Sequence, residues 1–290
     1  DFTHDKLREV IYTDLSTARR RMLHHRVAQA LQAQVRVPQS EVAALLAYHF
    51  EYAGEKDKAF ECWLIAGDHT LQLYAPQQAI RQFERALALA RHASAKSLAF
   101  WGMGRAYFMA DDLEASVAYL QHALQNADCA DERRAKILYQ LADVSLARYD
   151  LNACEMYARA AQTAAEAVRD FEMICSSLSL LGQVESARGH VDVENNLVTH
   201  ALTICRQSGN RWREGRTLAD LGWLQAQRGE FAQAIESAQQ ALHLLTETDD
   251  RAGVAFAWNT LGRAYGGHGD YVFAFDALRN SHEVAVAIDH

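Results

Sequence analysis

The sequence predicts an all-α solenoid of about six stacked helix-turn-helix units, and three observations carry that expectation. The stretch Trp258-Asn-Thr-Leu261-Gly262-Arg-Ala-Tyr265 recurs in weakened form upstream, with Gly222, Gly182, Ala142, Gly104 and Gly67 equivalent to Gly262. The intervals, read backwards, are 40, 40, 40, 38 and 37 residues, a period at which repeat arrays are built. A second small-residue pattern follows each of these positions at fixed spacing. Finally, two prolines in 290 residues, abundant Ala and Leu, and few strand-like runs leave helix as the only regular structure the chain favours.

Within one unit, Trp258, Leu261, Gly262 and Tyr265 are spaced 3, 1 and 3, which gathers large apolar groups beside one glycine on a single helical stripe. This is helix A. The second pattern lies 12, 16 and 19 residues after the small residue and gives helix B: Ala79/Phe83/Ala86, Ser116/Leu120/Ala123, Cys154/Ala158/Ala161, Ala234/Ala238/Ala241 and Ala274/Leu278/Ser281. A glycine inside a helix costs roughly 1 kcal/mol against alanine. Its recurrence at one phase therefore implies a compensation, the close approach of helix B at its own small residues.

A large residue, Leu-Gly, Tyr, then Ala, a bulky residue and Ala resembles the tetratricopeptide repeat, over about residues 41 to 290. The match is specific at Trp258 to Tyr265 and at Trp63 to Ala86, and good from Phe100 to Tyr107. In the middle, Leu138, Leu178 and Leu218 replace the aromatic, and Ser145, Glu185 and Gln225 replace the tyrosine. The resemblance implies a right-handed superhelix of six repeats over residues 60–290, starting near 60, 97, 135, 175, 215 and 255. It also implies a non-catalytic role in protein–protein interaction.

Residues 1–37 do not fit the repeat. Helical spacing runs from Phe2 to Tyr12, Ser16 can cap the next helix, and Ala18 to Leu31 is a second amphipathic helix before Pro38. The chain opens at Asp1, inside a helical pattern, and reads as an excised fragment. Phe2-x-His4-x3-Arg8-Glu9-x2-Tyr12, followed by Ala18-Arg-Arg-Arg21-x2-His24, resembles the end of the winged-helix domain of STAND-type signalling ATPases, among them the large LuxR-like and maltose-activator-like transcriptional regulators. That resemblance implies a bacterial, cytoplasmic signal-transduction parent using ATP or ADP with Mg, in which His4 touches the nucleotide phosphate. The phosphate-loop pattern Gly-x4-Gly-Lys-Ser/Thr is missing from these residues, so this chain is expected to need no cofactor and to hydrolyse nothing.

Residues 38–59 read as a lead-in hairpin covering the first repeat, with Leu45, Leu46, His49 and Phe50 along one side and a new helix from Ala59; end repeats need such covers. His49 is read as a packing residue. In the repeats, helix-A offsets −4, −1, 0 and +3 from the small residue are committed to packing, while −6, −3, +1 and +4 form a neighbouring stripe. By resemblance that second stripe faces a concave groove. It supplies the candidate partner or ligand residues Trp101, Arg105, Phe108, Tyr139, Asp143, Gln183, Arg216, Trp223, Asn259 and Arg263, a mixture of aromatics and arginines typical of binding hot spots. The fourth repeat departs from the pattern, with Glu185 in the tyrosine slot and Glu194 in the alanine slot. Either these carboxylates are paired or the packing there is slack, and Gly182 to Asn196 is expected to be a weak joint.

Other functional classes fare worse. Residues 1–40 hold 7 Lys+Arg against 4 Asp+Glu, but the remainder holds 22 against 33, and an acidic solenoid disfavours nucleic-acid backbones. The basic run Arg19-Arg20-Arg21 reads as a helix face packed on the neighbouring ATPase module. Five cysteines, never spaced Cys-x2-Cys, read as reduced core residues. Histidines lack metal-ligand spacing, so no metal is expected. No apolar run reaches membrane length. Asp111-Asp112 and Asp249-Asp250 read as helix starts rather than catalytic carboxylates. The expected function is that of a sensor or partner-docking region for a protein, peptide or inducer. A small-molecule receptor with a closed pocket around Trp101, Tyr139 and Trp223, or a self-associating scaffold, is the alternative.

Overall fold

A computed structural model of the chain describes residues 12–33, 38–128 and 132–288, and all of the extended regular elements in them are α-helices. The reading of His4 therefore lies outside the described residues, as does most of its winged-helix phrase. The elements are α1 (Thr17–Gln32), α2 (Gln39–Ala53), α3 (Lys56–Gln72), α4 (Pro76–Leu89), α5 (Ala93–Met109), α6 (Leu113–Asn126), α7 (Glu132–Ala147), α8 (Leu151–Val168), α9 (Phe171–Ala187), α10 (Val191–Ser208), α11 (Arg211–Gln227), α12 (Phe231–Glu247), α13 (Arg251–His268) and α14 (Tyr271–Ile288). The helix read from Ala59 begins at Lys56, directly after the left-handed turn at Gly54.

From α3 onward the helices form A/B pairs, and within each unit each helix packs on the next in sequence. The contacts fall into two compact units, Asp1–Cys129 and Ala130–His290, a division that the repeat spacing does not announce. The first unit holds α1 to α6 and the second α7 to α14. Apolar burial within each is a chain of small clusters, not one centre. Phe50, Leu46 and Trp63 anchor one cluster of the first unit, and Phe83 and Met103 another. In the second unit, clusters form around Leu178 and Cys205, around Leu181 and Val184, around Leu218 and Leu245, and around Leu261.

The turns are encoded locally. Asp112, Asp150, Asp170, Asn210 and Asp250 each accept a hydrogen bond from the backbone N–H three residues on, satisfying a donor at the helix start. The residue before each of them, including Asp111 and Asp249, has positive φ and reverses the chain. The paired aspartates thus do structural work at helix starts.

The recurrent helix-A glycine is a point of contact. A Cβ on Gly104 or Gly262 would stand 2.6 Å from Cγ of Leu120 or Leu278, both at the +16 position of helix B. Gly182 differs. A Cβ there would meet only Cγ2 of Val198 at 3.7 Å and Cγ of Glu194 at 3.8 Å, ordinary contact distances. The fourth repeat therefore has room beside its helix-A glycine. Its two anomalous carboxylates divide: Glu185 is buried but paired, with Arg188 at 3.0 Å and His190 at 2.8 Å, whereas Glu194 is treated below.

At the N-terminal end, Ser16 caps α1 through Arg19 N–H. His24 is buried against Tyr48, His49 and Tyr52. His24 Nδ1 and His49 Nδ1 lie 2.8 Å apart, and burial lowers the pKa of both rings, so His49 is a packing residue sharing a neutral hydrogen bond.

Candidate functional site

The candidate residues fall in both units and are placed differently in each. In the first unit, Trp101, Arg105 and Phe108 lie on α5 and are half-buried. Trp101 packs beside Leu64, Phe83 and Leu98 around a void of about 40 Å³. The Arg105 guanidinium lies 5.3 Å from the centre of its ring and donates to Asp68 at 2.8 Å. The indole N–H of Trp101 is buried without an acceptor. This aromatic borders the packing between α3 and α5, where the small residues Gly67 and Gly102 make room for the Phe83 ring.

The second unit contains a cavity open to solvent, of about 510 Å³, between α9, α10, α11 and the start of α13. Gln183 and Trp223 line it, together with Phe256 and Ser179. All four lie on the helix-A stripe at offsets −6, −3 or +1. Trp223 and Phe256 form the aromatic wall, their rings 5.7 Å apart, and Arg263 holds its guanidinium 4.6 Å from the Trp223 ring centre.

Two carboxylates complete the lining, Glu194 from α10 and Asp220 from α11. Burial pushes the Asp220 carboxyl up to about 6, and the nearby Glu194 adds to the rise, while Arg213 and Arg216 oppose it. Burial likewise raises Glu194, with the Ser186 hydroxyl and Arg228 opposing. Sequence reasoning flagged Glu194 as an anomaly but not as a lining residue, and it missed Asp220. A signal for Asp220 existed: at the same offset, −2, the other repeats carry Ile65, Gly102, Gln140, Leu180 and Thr260, none of them charged.

The remaining candidates surround or leave the cavity. Tyr139 and Asp143 on α7 are half-buried, and burial raises both, with Asp143 and Asp220 adding to the rise at Tyr139. Arg216 turns away to Asp250, donating from Nε at 2.5 Å and Nη2 at 3.0 Å. Trp212 Nε1 donates to the same carboxylate at 2.8 Å. Asn259 is exposed and is not among the residues that line this cavity. Within the second unit, therefore, Gln183, Trp223 and Arg263 come together, while Arg216 and Asn259 do not join them. The pocket around Trp223 is an open cleft with polar walls, unlike the closed, dry one the receptor alternative anticipated.

Among the described residues no group of three or more His, Cys, Asp or Glu is arranged to hold a metal ion. None of the described helices is long and apolar enough to cross a membrane. Cys62, Cys154, Cys175 and Cys205 are buried free thiols.

Comparison with known proteins places the fold. Neither models of known protein families nor curated proteins give a match to the sequence. Solved structures do match. Aspartyl phosphate phosphatase F from Bacillus subtilis is similar with a TM-score of 0.63 at 11% identity, over 91% of this chain and 88% of that one. A Rap protein crystallised with competence and sporulation factor matches with a TM-score of 0.65 at 15% identity, over 93% and 76%. A signal-transduction ATPase with numerous domains from Pyrococcus horikoshii, carrying a tetratricopeptide-repeat sensor, matches with a TM-score of 0.60 at 16% identity, over 89% of this chain and 42% of that one. The fold is thus an α-helical repeat fold of the tetratricopeptide type.

Proposed function

We propose that this chain is the sensor and partner-docking region of a bacterial STAND-type ATPase, in a LuxR-like transcriptional regulator. A protein, peptide or inducer held on the helix-A stripe would bias the ATPase and output modules of the parent. The observation that carries this reading is the cavity of about 510 Å³ built on that stripe, walled by Trp223 and Phe256 and lined by the carboxylates of Glu194 and Asp220. Its size is that of a ligand site. The resemblance of residues 2–24 to the end of a winged-helix domain supports the parentage, and the similarity in fold to a repeat sensor in an archaeal ATPase is in keeping with it. In this reading the chain performs no chemistry, and ATP or ADP with Mg belongs to a module outside this sequence. The buried free thiols fit a reducing, cytoplasmic setting.

A second reading, self-association through the last repeat, is favoured by α14, which leaves Tyr271, Val272, Phe273 and Phe275 on the surface. Native mass spectrometry of the chain recovered from a bacterial lysate separates the two. The sensor reading expects a retained ligand or partner that is lost in Trp223→Ala. A defined dimer whose mass falls to the monomer in Phe275→Asp, with nothing retained in the cavity, would replace it by the scaffold reading.

A further inference from the structure

The lining of the second-unit cavity is electrostatically one-sided. It contains Glu194 and Asp220 and no lysine, arginine or histidine. Glu194 is only 7% exposed, and its Oε2 is buried without a hydrogen-bond partner. A buried carboxylate oxygen left unpaired is strongly unfavourable. Such an atom, in a residue that lines the cavity, lacks a donor.

The surrounding cations do not supply that donor. Arg216 is bound to Asp250, Arg213 donates to Ser176 and stacks on Trp212, and Arg228 is engaged with Asp192 and Glu230. Asp220 itself forms no ion pair with a described residue. The fourth repeat also provides the room, since Val198 stands at the +16 position where Leu120 and Leu278 fill the space beside Gly104 and Gly262. The aromatic wall is competent for positive charge, because Trp223 already carries the Arg263 guanidinium on its ring.

We propose that this cavity takes an organic cation, an alkylammonium or guanidinium on an aliphatic stem, with Glu194 and Asp220 as its counter-charges and Trp223 and Phe256 as the wall for its stem. The inference rests on the sensor reading and names the ligand chemistry of the same site. The hydroxyls of Ser179 and Ser186 and the amide oxygens of Gln183 and Gln227 can accept the remaining N–H groups. The raised carboxyls fit this arrangement: each is held in a setting where its charge lacks compensation, which an incoming cation would provide.

Titration calorimetry of the whole chain at pH 8 tests the proposal with three probes: 1,5-diaminopentane, Nα-acetyl-lysine amide and Nα-acetyl-glutamate amide. One equivalent of a cationic probe should bind, about tenfold or more weaker in Glu194→Gln and in Asp220→Asn. In Trp223→Leu it should be weaker by about three- to tenfold. Preference for the diamine identifies a free amine as the source; preference for the lysine amide identifies a basic side chain of a peptide. Both charge-removing variants are isosteric and relieve a desolvated charge, and far-ultraviolet circular dichroism checks that they fold. Cation binding unchanged in both variants, or absent at millimolar concentration, overturns the proposal. Binding of the glutamate amide in place of the lysine amide overturns it as well, yet leaves a ligand site on the helix-A stripe. Retention of nothing, from the probes or from a lysate, removes the sensor reading itself.

Discussion

Cys175 Sγ on α9 and Cys205 Sγ on α10 lie 3.0 Å apart in the buried seam of the fourth repeat. Both are free thiols. The hydrogen bond shared with Cys175 lowers Cys205 to about 7, aided by Thr217, whereas the same hydrogen bond and burial raise Cys175. The two thiols titrate as a coupled pair, in which the proton that remains after the first ionisation is the one held between the sulfurs.

The first prediction follows from that seam. Cys175 and Cys205 should resist an aqueous alkylating reagent in the native protein and react in denaturant. A small oxidant such as diamide, itself reduced to the hydrazine as each thiol gives up one hydrogen, should join them in an intramolecular disulfide. Peptide mapping under non-reducing conditions checks this, and a linkage through Cys62 or Cys154 in its place would count against the packing of α9 on α10.

The two stripes of helix A predict unequal costs for two tryptophans. Trp258 packs on the cluster of Ala238, Leu261 and Ala277, so Trp258→Ala should lose about 3–4 kcal/mol. Trp223 borders an existing cavity, so Trp223→Ala should lose about 1–2 kcal/mol, because part of its surface has no packing partner to forfeit. Urea denaturation of both variants measures the difference. Equal, large losses would place Trp223 in the core.

Asp220 predicts stabilisation on removal of charge. Its folded-state value of about 6 exceeds the ordinary aspartate value of about 3.9. Between those values the folded state binds more protons than the unfolded state, so this group's contribution to stability falls as pH rises from about 4 to about 6 and stays unfavourable above. The groups that set it are Glu194, Arg213 and Arg216, with Tyr139 also in electrostatic reach. Asp220→Asn should therefore be about 1–2 kcal/mol more stable than the parent chain at pH 7.5 and about equal to it at pH 4. Thermal melts at both pH values check the crossover.

Glycines at one phase of the repeat should respond in opposite directions. Gly182→Ala adds a methyl at ordinary contact distance and should gain about 0.5–1 kcal/mol from helix propensity. Gly104→Ala places the methyl 2.6 Å from Leu120 Cγ and should cost about 1–3 kcal/mol as Leu120 is displaced. Matched denaturation curves decide it, and a loss at Gly182 as large as at Gly104 would contradict the room beside Gly182 in the fourth repeat.

Much of the fold is legible in the sequence because each repeat must solve the same packing problem with the same few residue types. The phase of Gly262 and its equivalents marks helix A, and the small-bulky-small slots mark helix B. The aspartates at the turns announce helix starts. The site is only partly legible. Gln183 and Trp223 sit on a stripe that periodicity finds, and Glu194 stands out because it violates its slot. Asp220 lies off the stripe, at an offset where no other repeat carries a charge, so the periodicity that finds the stripe does not report it. Trp101 shares the composition of Trp223 on the same stripe, yet packs beside Phe83, where Gly67 and Gly102 make room for the Phe83 ring. Arg216 reads as a groove residue but is claimed by Asp250, the cap of the helix after next.

The void beside Gly182 has a bearing on how such an array acquires new recognition. It is lined by two helix-B residues that differ from their counterparts, Val198 where the repeats of Gly104 and Gly262 carry leucine and Glu194 where the other repeats carry a small neutral residue. In an array whose repeats contact mainly their neighbours, two such replacements alter one rung and leave the turns, caps and glycine contacts of the other rungs untouched. Binding specificity can therefore migrate along the chain by point substitution, each rung serving as an independent draft of a pocket while the rest preserve the architecture.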